Sequence, residues 1–407
     1  MLNKIQFLKK PKNILILILL FTAVFRLYRL DFPNKYVFDE VYHAFTAKEY
    51  LTGSEAAWEW WTTPPPGVAF EWTHPPLAKE IMAASMFLLH NKDAWTWRLP
   101  GTLLGILSVY LVYLLGLKLL RNQNAALIAA FAFSLDGLNF VQSRTGMNDI
   151  YYVTFSLIAL LLLLNKKYLF SAIILGLALS SKWAAFYAYL VFIPLLIKDR
   201  QYRQILFFLI FPPIIYLISY LPFFLLGHNF TQFVQLQQQM WWYHTHLKAT
   251  HPYSSPWWSW PLNLYPVWYF VDYQKNAVAN IFTSGNPALF WIGTVTVIFT
   301  AVEAFKKRSM NLIIILLGFF AFWLPWIHSP RIMFLYHFSP SVPFLSLALG
   351  YQLNKLLTDK EGRRLALLLL LLIAISFIFV FPYLTGIPLP RNVIRLFFLT
   401  NLSKNPF

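Results

Sequence analysis

Apolar runs of span length recur from the start of the chain to its last quarter, separated by short polar turns. A helix crossing a membrane needs roughly 20 apolar residues at about 1.5 Å each. On that rule the sequence predicts eleven spans, at about 12–30, 98–120, 124–141, 149–165, 168–181, 183–198, 204–226, 288–305, 310–327, 332–354 and 364–384. The stretch 168–198 is one apolar run broken by Ser180-Ser181-Lys182, and reads as two short spans or one long broken helix. Residues 76–90 are apolar but too short to cross, and predict a helix lying in the interface. Two longer segments, 31–97 and 227–287, interrupt the pattern. No fixed period repeats and no Gly/Ser linker is visible. The whole chain, 1–407, therefore reads as a single all-α polytopic membrane domain, with 288–407 as a four-span C-terminal segment.

Composition agrees. Of 407 residues, 58% are hydrophobic and 12% charged, more apolar surface than a soluble domain can hide. The net charge of +17 is scattered through short turns, which is the pattern of membrane orientation rather than of nucleic-acid binding. The absence of cysteine removes disulfides, thiolate nucleophiles and zinc–thiolate sites. Lys4, Lys9, Lys10 and Lys12 precede the apolar run Ile14–Phe25 as in a signal peptide. No small-residue cleavage site follows, which predicts a retained anchor.

Charge placement sets the orientation. With the N-terminus in the cytoplasm, the inner turns carry Arg121, Lys166-Lys167, Lys198, Arg200, Arg203, Lys306-Lys307-Arg308, Lys355, Lys360, Arg363 and Arg364. Counting 168–198 as one crossing would move the later clusters outside, so two crossings are favoured. The opposite face then collects Asp39, Glu40, His74, Lys79, Arg98, Arg144, Asp149, Lys182, His328 and Arg331. A lone cation at a helix end commonly snorkels to headgroups. So many ionisable groups on one face predict instead a polar cavity near the outer leaflet. The loop 227–287 is dense in aromatic residues, including Trp241-Trp242-Tyr243-His244 and Trp257-Trp258-Ser259-Trp260. These serve as an interfacial belt, as stacking walls for a sugar, or as both.

Such a cavity suits a lipid-linked phosphate donor, whose tail stays in the bilayer while its phosphate sits at headgroup depth. The leaving phosphate needs positive charge more than an acid, and the acceptor hydroxyl needs a base. A single displacement of this kind inverts the anomeric carbon. Arg98, Lys182 and Arg144 supply cations, and Asp39 with Glu40 supplies carboxylates. Neighbours on a helix point about 100° apart, so Asp39 facing the acceptor would leave Glu40 to orient a cation. Asp39, Glu40, His43 and His74 offer oxygen and nitrogen ligands, but without a diagnostic metal spacing. No metal or cofactor is expected. Walker-type, dinucleotide and Gly-x-Ser-x-Gly motifs are missing.

In order along the chain stand Phe38-Asp39-Glu40-Val41-Tyr42-His43, Thr73-His74-Pro75-Pro76-Leu77-Ala78-Lys79, Trp97-Arg98-Leu99-Pro100, Ser143-Arg144 with Met147-Asn148-Asp149, and Ser180-Ser181-Lys182-Trp183. They continue with Tyr243-His244, His251-Pro252-Tyr253, Trp258-Ser259-Trp260-Pro261-Leu262, Ser284-Gly285-Asn286-Pro287 and Phe334-Leu335-Tyr336-His337-Phe338. This ordered set resembles the protein O-mannosyltransferases, membrane glycosyltransferases of the GT-C class that use polyprenyl-phosphate mannose. The resemblance implies eleven spans and two juxtamembrane helices in the first outer loop, which suits 36–52 and 76–90. It implies Asp39 as catalytic base beside Glu40, an essential Arg at Arg98 and the donor-phosphate Lys at Lys182. Arg98 and Lys182, with Arg144, are expected at the donor phosphate, and His74, Lys79, Asp149, Tyr243, His244, Trp258 and Trp260 are expected in an acceptor or sugar pocket. The implied partners are polyprenyl-phosphate mannose and Ser/Thr-bearing exported proteins, at the extracytoplasmic face of the cell membrane. His43 is displaced by one residue from the usual Val-His, Ala78 replaces a usual Gly, and 227–287 stands where eukaryotic members carry a large soluble insert. That pattern is similar to a compact prokaryotic form.

Two other readings compete. A relative of the aminoarabinose transferases would move a lipid-linked sugar to a lipid or cell-wall glycan; the loop 240–262 resembles the protein-modifying group more closely. A transporter would carry ionisable residues near the bilayer midplane, where only Asp136 comes close.

Overall fold

The computed structural model describes residues 10–400 and 402; Lys4 and Lys9 lie outside them. Each apolar run becomes helical. The helices are α1 (Pro11–Leu27), α2 (His43–Leu51), α3 (Leu77–Leu88), α4 (Ala94–Leu120), α5 (Gln123–Ser134), α6 (Gly137–Arg144), α7 (Asp149–Leu164) and α8 (Tyr168–Ser181). They continue with α9 (Tyr189–Lys198), α10 (Tyr202–Ser219), α11 (Leu221–Leu225), α12 (Phe230–His246), α13 (Pro287–Lys307), α14 (Met310–Ala321), α15 (Val342–Leu356), α16 (Lys360–Thr385) and the short α17 (Arg391–Ile394). Among the described residues, five helical segments are long and apolar enough to cross a membrane alone: α4, α10, α13, α14 with its extension to His328, and α16. The pair α5/α6 makes a sixth if counted as one span. The rest of the eleven expected segments are shorter or broken. Leu20, Val24, Leu209, Phe299, Leu368 and Ile378 are exposed, as lipid-facing side chains are.

The breaks have local causes. The expected span 124–141 bends by 58° between α5 and α6, because the Asp136 carboxylate starts a new helix by accepting from the backbone N–H groups of Leu138 (3.0 Å) and Asn139 (2.8 Å). The run 168–198 breaks at Lys182, whose backbone is extended (φ −161°, ψ 134°), before a 3-10 turn over Trp183–Ala188 and α9. On the face expected to be cytoplasmic, Arg121, Lys166, Arg200 and Arg308 close their helices in the left-handed region. Glycine is usual at such positions. Here the strain of a Cβ is offset by a cation at the negative end of the helix dipole.

The core centres on α5, whose small residues let helices approach closely. A Cβ on Gly350 of α15 would lie 2.4 Å from the Ala125 carbonyl oxygen, and one on Gly116 of α4 would lie 2.8 Å from the Ala126 Cα. Backbone cannot yield as a side-chain tip can. Gly350→Ala is therefore expected to destabilise the fold by about 1–3 kcal/mol, measured as a lower melting temperature in detergent.

One element departs from the all-α expectation. Strands β1 (Val267–Tyr273) and β2 (Ala277–Thr283) form an antiparallel hairpin, extended by β3 (Leu389–Pro390). The register slips between Trp268 and Phe270, so Tyr269 sits at the irregularity. Bulges commonly re-aim a side chain. Tyr269 is stacked on Phe38 at 4.1 Å and 9°, and Gln142 donates to its hydroxyl (3.3 Å).

Candidate active site

The adjacent acids occupy a 3-10 turn, Phe38–Val41, ahead of α2. Phe38 has φ +50°, a strained conformation for a bulky residue, costing about 1–3 kcal/mol. The Tyr269 stack and the Val37 N–H bond to Glu40 Oε2 (2.9 Å) hold the turn in place. Its effect is to send Asp39 and Glu40 in different directions.

Glu40 is fully buried against Arg98. Arg98 donates from Nε to Oε1 and from Nη2 to Oε2, both at 2.7 Å. Its remaining donors go to the carbonyls of Leu30, Pro33 and Lys35, each at 3.1 Å. Glu40 also accepts from Trp97 Nε1 (3.1 Å) and the Gly146 N–H (2.8 Å). A guanidinium has five N–H groups, and here all five are taken. This corrects the placement of Arg98 at the donor phosphate, while Glu40 orients a cation, as expected if Asp39 faces the acceptor; both are locked inside the protein. Arg144 is likewise turned away. Its Nε donates to the Arg26 carbonyl (2.9 Å) and its Nη2 to those of Tyr28 and Arg29, closing the end of α1.

Asp39 is half-buried and borders a cavity of about 850 Å³. Among the described residues no group donates a hydrogen bond to its carboxylate. Burial, then the nearby Glu71 carboxylate, pushes its pKa up to about 7, against the opposing pull of Lys182 and Arg331. His43, His74, Asp149, Lys182, His244, Arg331 and His337 also line the cavity. Leu179, Phe186, Pro212 and Pro213 add apolar lining. Lys182 Nζ bonds both Asp149 oxygens, at 2.9 and 3.0 Å. The pair joins the N-terminus of α7 to the C-terminal break of α8, where each charge complements its helix dipole.

His244 Nε2–H donates to the Thr73 carbonyl (2.8 Å), and its Nδ1 accepts from Arg331. Arg331 also lies over the Tyr243 ring at 5.3 Å. His74 stacks on His244 at 5.1 Å and lies 6.2 Å from His43. Burial and neighbouring cations hold His43 and His74 well below the usual histidine range and His244 at about 4. All three are neutral near pH 7. Among the described residues no three His, Asp or Glu side chains cluster as metal ligands.

Of the ionisable residues expected on one face, Asp39, His74, Asp149, Lys182, His328 and Arg331 meet in the cavity. Glu40, Arg98, Arg144 and Lys79 stand behind it. Lys79 corrects a second expectation: it is buried and donates to the carbonyls of His74 (2.8 Å) and Pro75 (3.3 Å), shaping the loop rather than lining a pocket. Trp260 is buried behind His337, stacked at 5.9 Å, and bonds Ser255, while Trp258 is exposed and off the cavity. Tyr243 supports Arg331 from outside the lining. The sequence reading did not single out Arg331, Tyr336, His337 or Glu71 as site residues. For Arg331 a signal existed, since it is the lone Lys or Arg between two spans on the outer side.

Comparison with known proteins bears on the family and the fold. Residues 16–233 match the family described as dolichyl-phosphate-mannose-protein mannosyltransferase, and 229–399 match the C-terminal four-TMM region of protein-O-mannosyltransferase. The polyprenol-phosphate-mannose–protein mannosyltransferases of Mycobacterium tuberculosis and Mycolicibacterium smegmatis are 25% and 24% identical. The first alignment covers 79% of both chains, the second 79% of this chain and 80% of the relative. In fold, the chain is similar to the S. cerevisiae Pmt1-Pmt2 complex bound to the sugar donor, with TM-score 0.81 and 15% identity over 97% of this chain and 94% of that one. It is also similar to ArnT from Cupriavidus metallidurans, with TM-score 0.61 and 14% identity over 91% and 76%. A chain matched over more than half its length by that family, with a multi-pass GT-C fold, belongs to the dolichyl-phosphate-mannose–protein mannosyltransferases, a family of membrane glycosyltransferases.

Proposed function

We propose that the chain transfers mannose from polyprenyl-phosphate mannose to Ser/Thr hydroxyls of exported proteins by one inverting displacement. Asp39 accepts the proton of the acceptor hydroxyl as its oxygen attacks the anomeric carbon. The C–O bond to phosphate breaks, and the phosphate leaves with the electron pair, its charge balanced by Lys182 and Arg331. The observation that carries this reading is one cavity lined by a carboxylate with no hydrogen-bond partner among the described residues, by two cations acting on it, and by apolar side chains. A lipid tail suits the apolar lining, and a phosphate suits the cations. Asp149 keeps Lys182 aimed inward until phosphate competes for it. We place the charged lining of the cavity at the outer face of the cytoplasmic membrane, with the N-terminus inside.

The test is transfer in proteoliposomes from synthetic polyprenyl-phosphate mannose to a Ser/Thr peptide, with the product's anomeric configuration read by NMR. Inversion at the peptide hydroxyl supports the reading; retention, or preference for a lipid or glycan acceptor, overturns it. Lys182→Met should lower kcat/KM for the donor by ~10²- to 10³-fold, checked by donor titration. Turnover should persist in chelator, because side chains supply the positive charge. The base works only when ionised, so kcat/KM should fall as pH drops through about 7, the value to which Asp39 is raised.

A further inference from the structure

Lys182 and Arg331 create a conflict inside the cavity. Cations that stabilise a departing phosphate also stabilise an ionised carboxylate beside it, which makes that carboxylate a poorer base. We propose that Glu71 is the positioning residue that resolves this conflict, a second carboxylate fixed behind Asp39 whose negative charge preserves the proton affinity of the base. The inference rests on the catalytic reading of Asp39 given above.

Several features fix Glu71 there. It is buried. The Ala69 N–H donates to the Val41 carbonyl (3.2 Å), tying the segment before Glu71 to the turn that bears Asp39. The Glu71 N–H donates to Thr46 Oγ1 of α2 (2.8 Å), and Thr73 Oγ1 donates to Glu71 Oε1 (2.5 Å). Its other oxygen lies 3.7 Å from His43 Nδ1. That is too long for a hydrogen bond, and the buried His43 is neutral, so it does not cancel the carboxylate's charge. Lys79, from α3, is a cation that Glu71 also acts on, held at about 8 by burial despite the carboxylate. The groups acting on Asp39 are then complete: Glu71 and Asp149 favour its protonated form, while Lys182 and Arg331 oppose it. Tyr42, Tyr243 and Tyr269 stand near it and are neutral near pH 7, and Tyr336 lines the same cavity. A merely structural Glu71 would anchor the loop without affecting the titration of its neighbour.

The test uses the natural lack of cysteine. In Asp39→Cys, the pH dependence of maleimide labelling reports the proton affinity of the site with no substrate present, so it stands even if the mannose reading fails. Adding Glu71→Gln should lower the thiol midpoint by about half a pH unit or more, whereas Glu71→Asp should leave it close to the parent. If the Gln variant does not fold, Glu71→Met gives the same comparison. In turnover, Glu71→Gln alone should move the acid limb of kcat/KM to lower pH. An unchanged thiol midpoint, or a uniform loss of rate with the limb in place, overturns the proposal.

Discussion

Replacing Asp39 with Asn is expected to cut mannose transfer by about 10²- to 10⁴-fold while leaving the melting temperature unchanged or higher. The rate prediction follows from Asp39 being, among the described residues, the one carboxylate lining the cavity without a hydrogen-bond or ion-pair partner. The stability prediction follows from linkage. Burial and Glu71 raise this acid to about 7 from an ordinary value of 3.8, so the folded chain binds a proton more tightly than the unfolded chain across that window. Ionised Asp39 therefore costs the fold stability as pH rises from about 4 to about 7, and Asn removes that cost. A dead variant that melts no earlier than wild type separates loss of the base from loss of the structure. Melting curves in detergent and a transfer assay on the same preparation check both halves.

Glu40→Ala is expected to give the opposite profile, with stability falling by about 3–5 kcal/mol and activity lost with it. Glu40 binds two Arg98 nitrogens, the Trp97 indole and the Val37 and Gly146 backbone. Removing it leaves a buried guanidinium facing an empty space and loosens the turn that aims Asp39. Yield after extraction and a thermal melt measure the effect. Adjacent acids thus have separate uses, one presented to the cavity and one holding the wall behind it.

Much of this was legible in the sequence, because membrane helices are announced by long apolar runs and orientation by basic turns. The convergence of Asp39, Asp149 and Lys182 followed from placing span ends on one side. What was not legible is which way each side chain turns. Arg98 and Lys182 are both cations at span ends, and only the fold shows that carbonyls of residues 30–35 surround the first while the second meets Asp149 in the cavity wall. Asp136 read as a mid-span charge, whereas it caps a helix restarted inside the run. The hairpin 267–283 was hidden because its aromatic residues suit an interfacial belt equally well, and its register slip has no sequence signature. Glu71 has no mark in the sequence that sets it apart from the other acids of the first outer loop, such as Glu49, Glu55 and Glu59.

The central claim is that an outward-facing cavity receives the phosphate end of the donor. Ser329 lines that cavity, and Ser309 follows a basic turn on the opposite face. In the cysteine-free chain, Ser329→Cys and Ser309→Cys can each be labelled in intact cells with a membrane-impermeant maleimide. The account predicts labelling of Ser329→Cys alone, slowed when polyprenyl-phosphate mannose is added. Labelling of Ser309→Cys instead, or a Ser329→Cys rate indifferent to saturating donor, would contradict it.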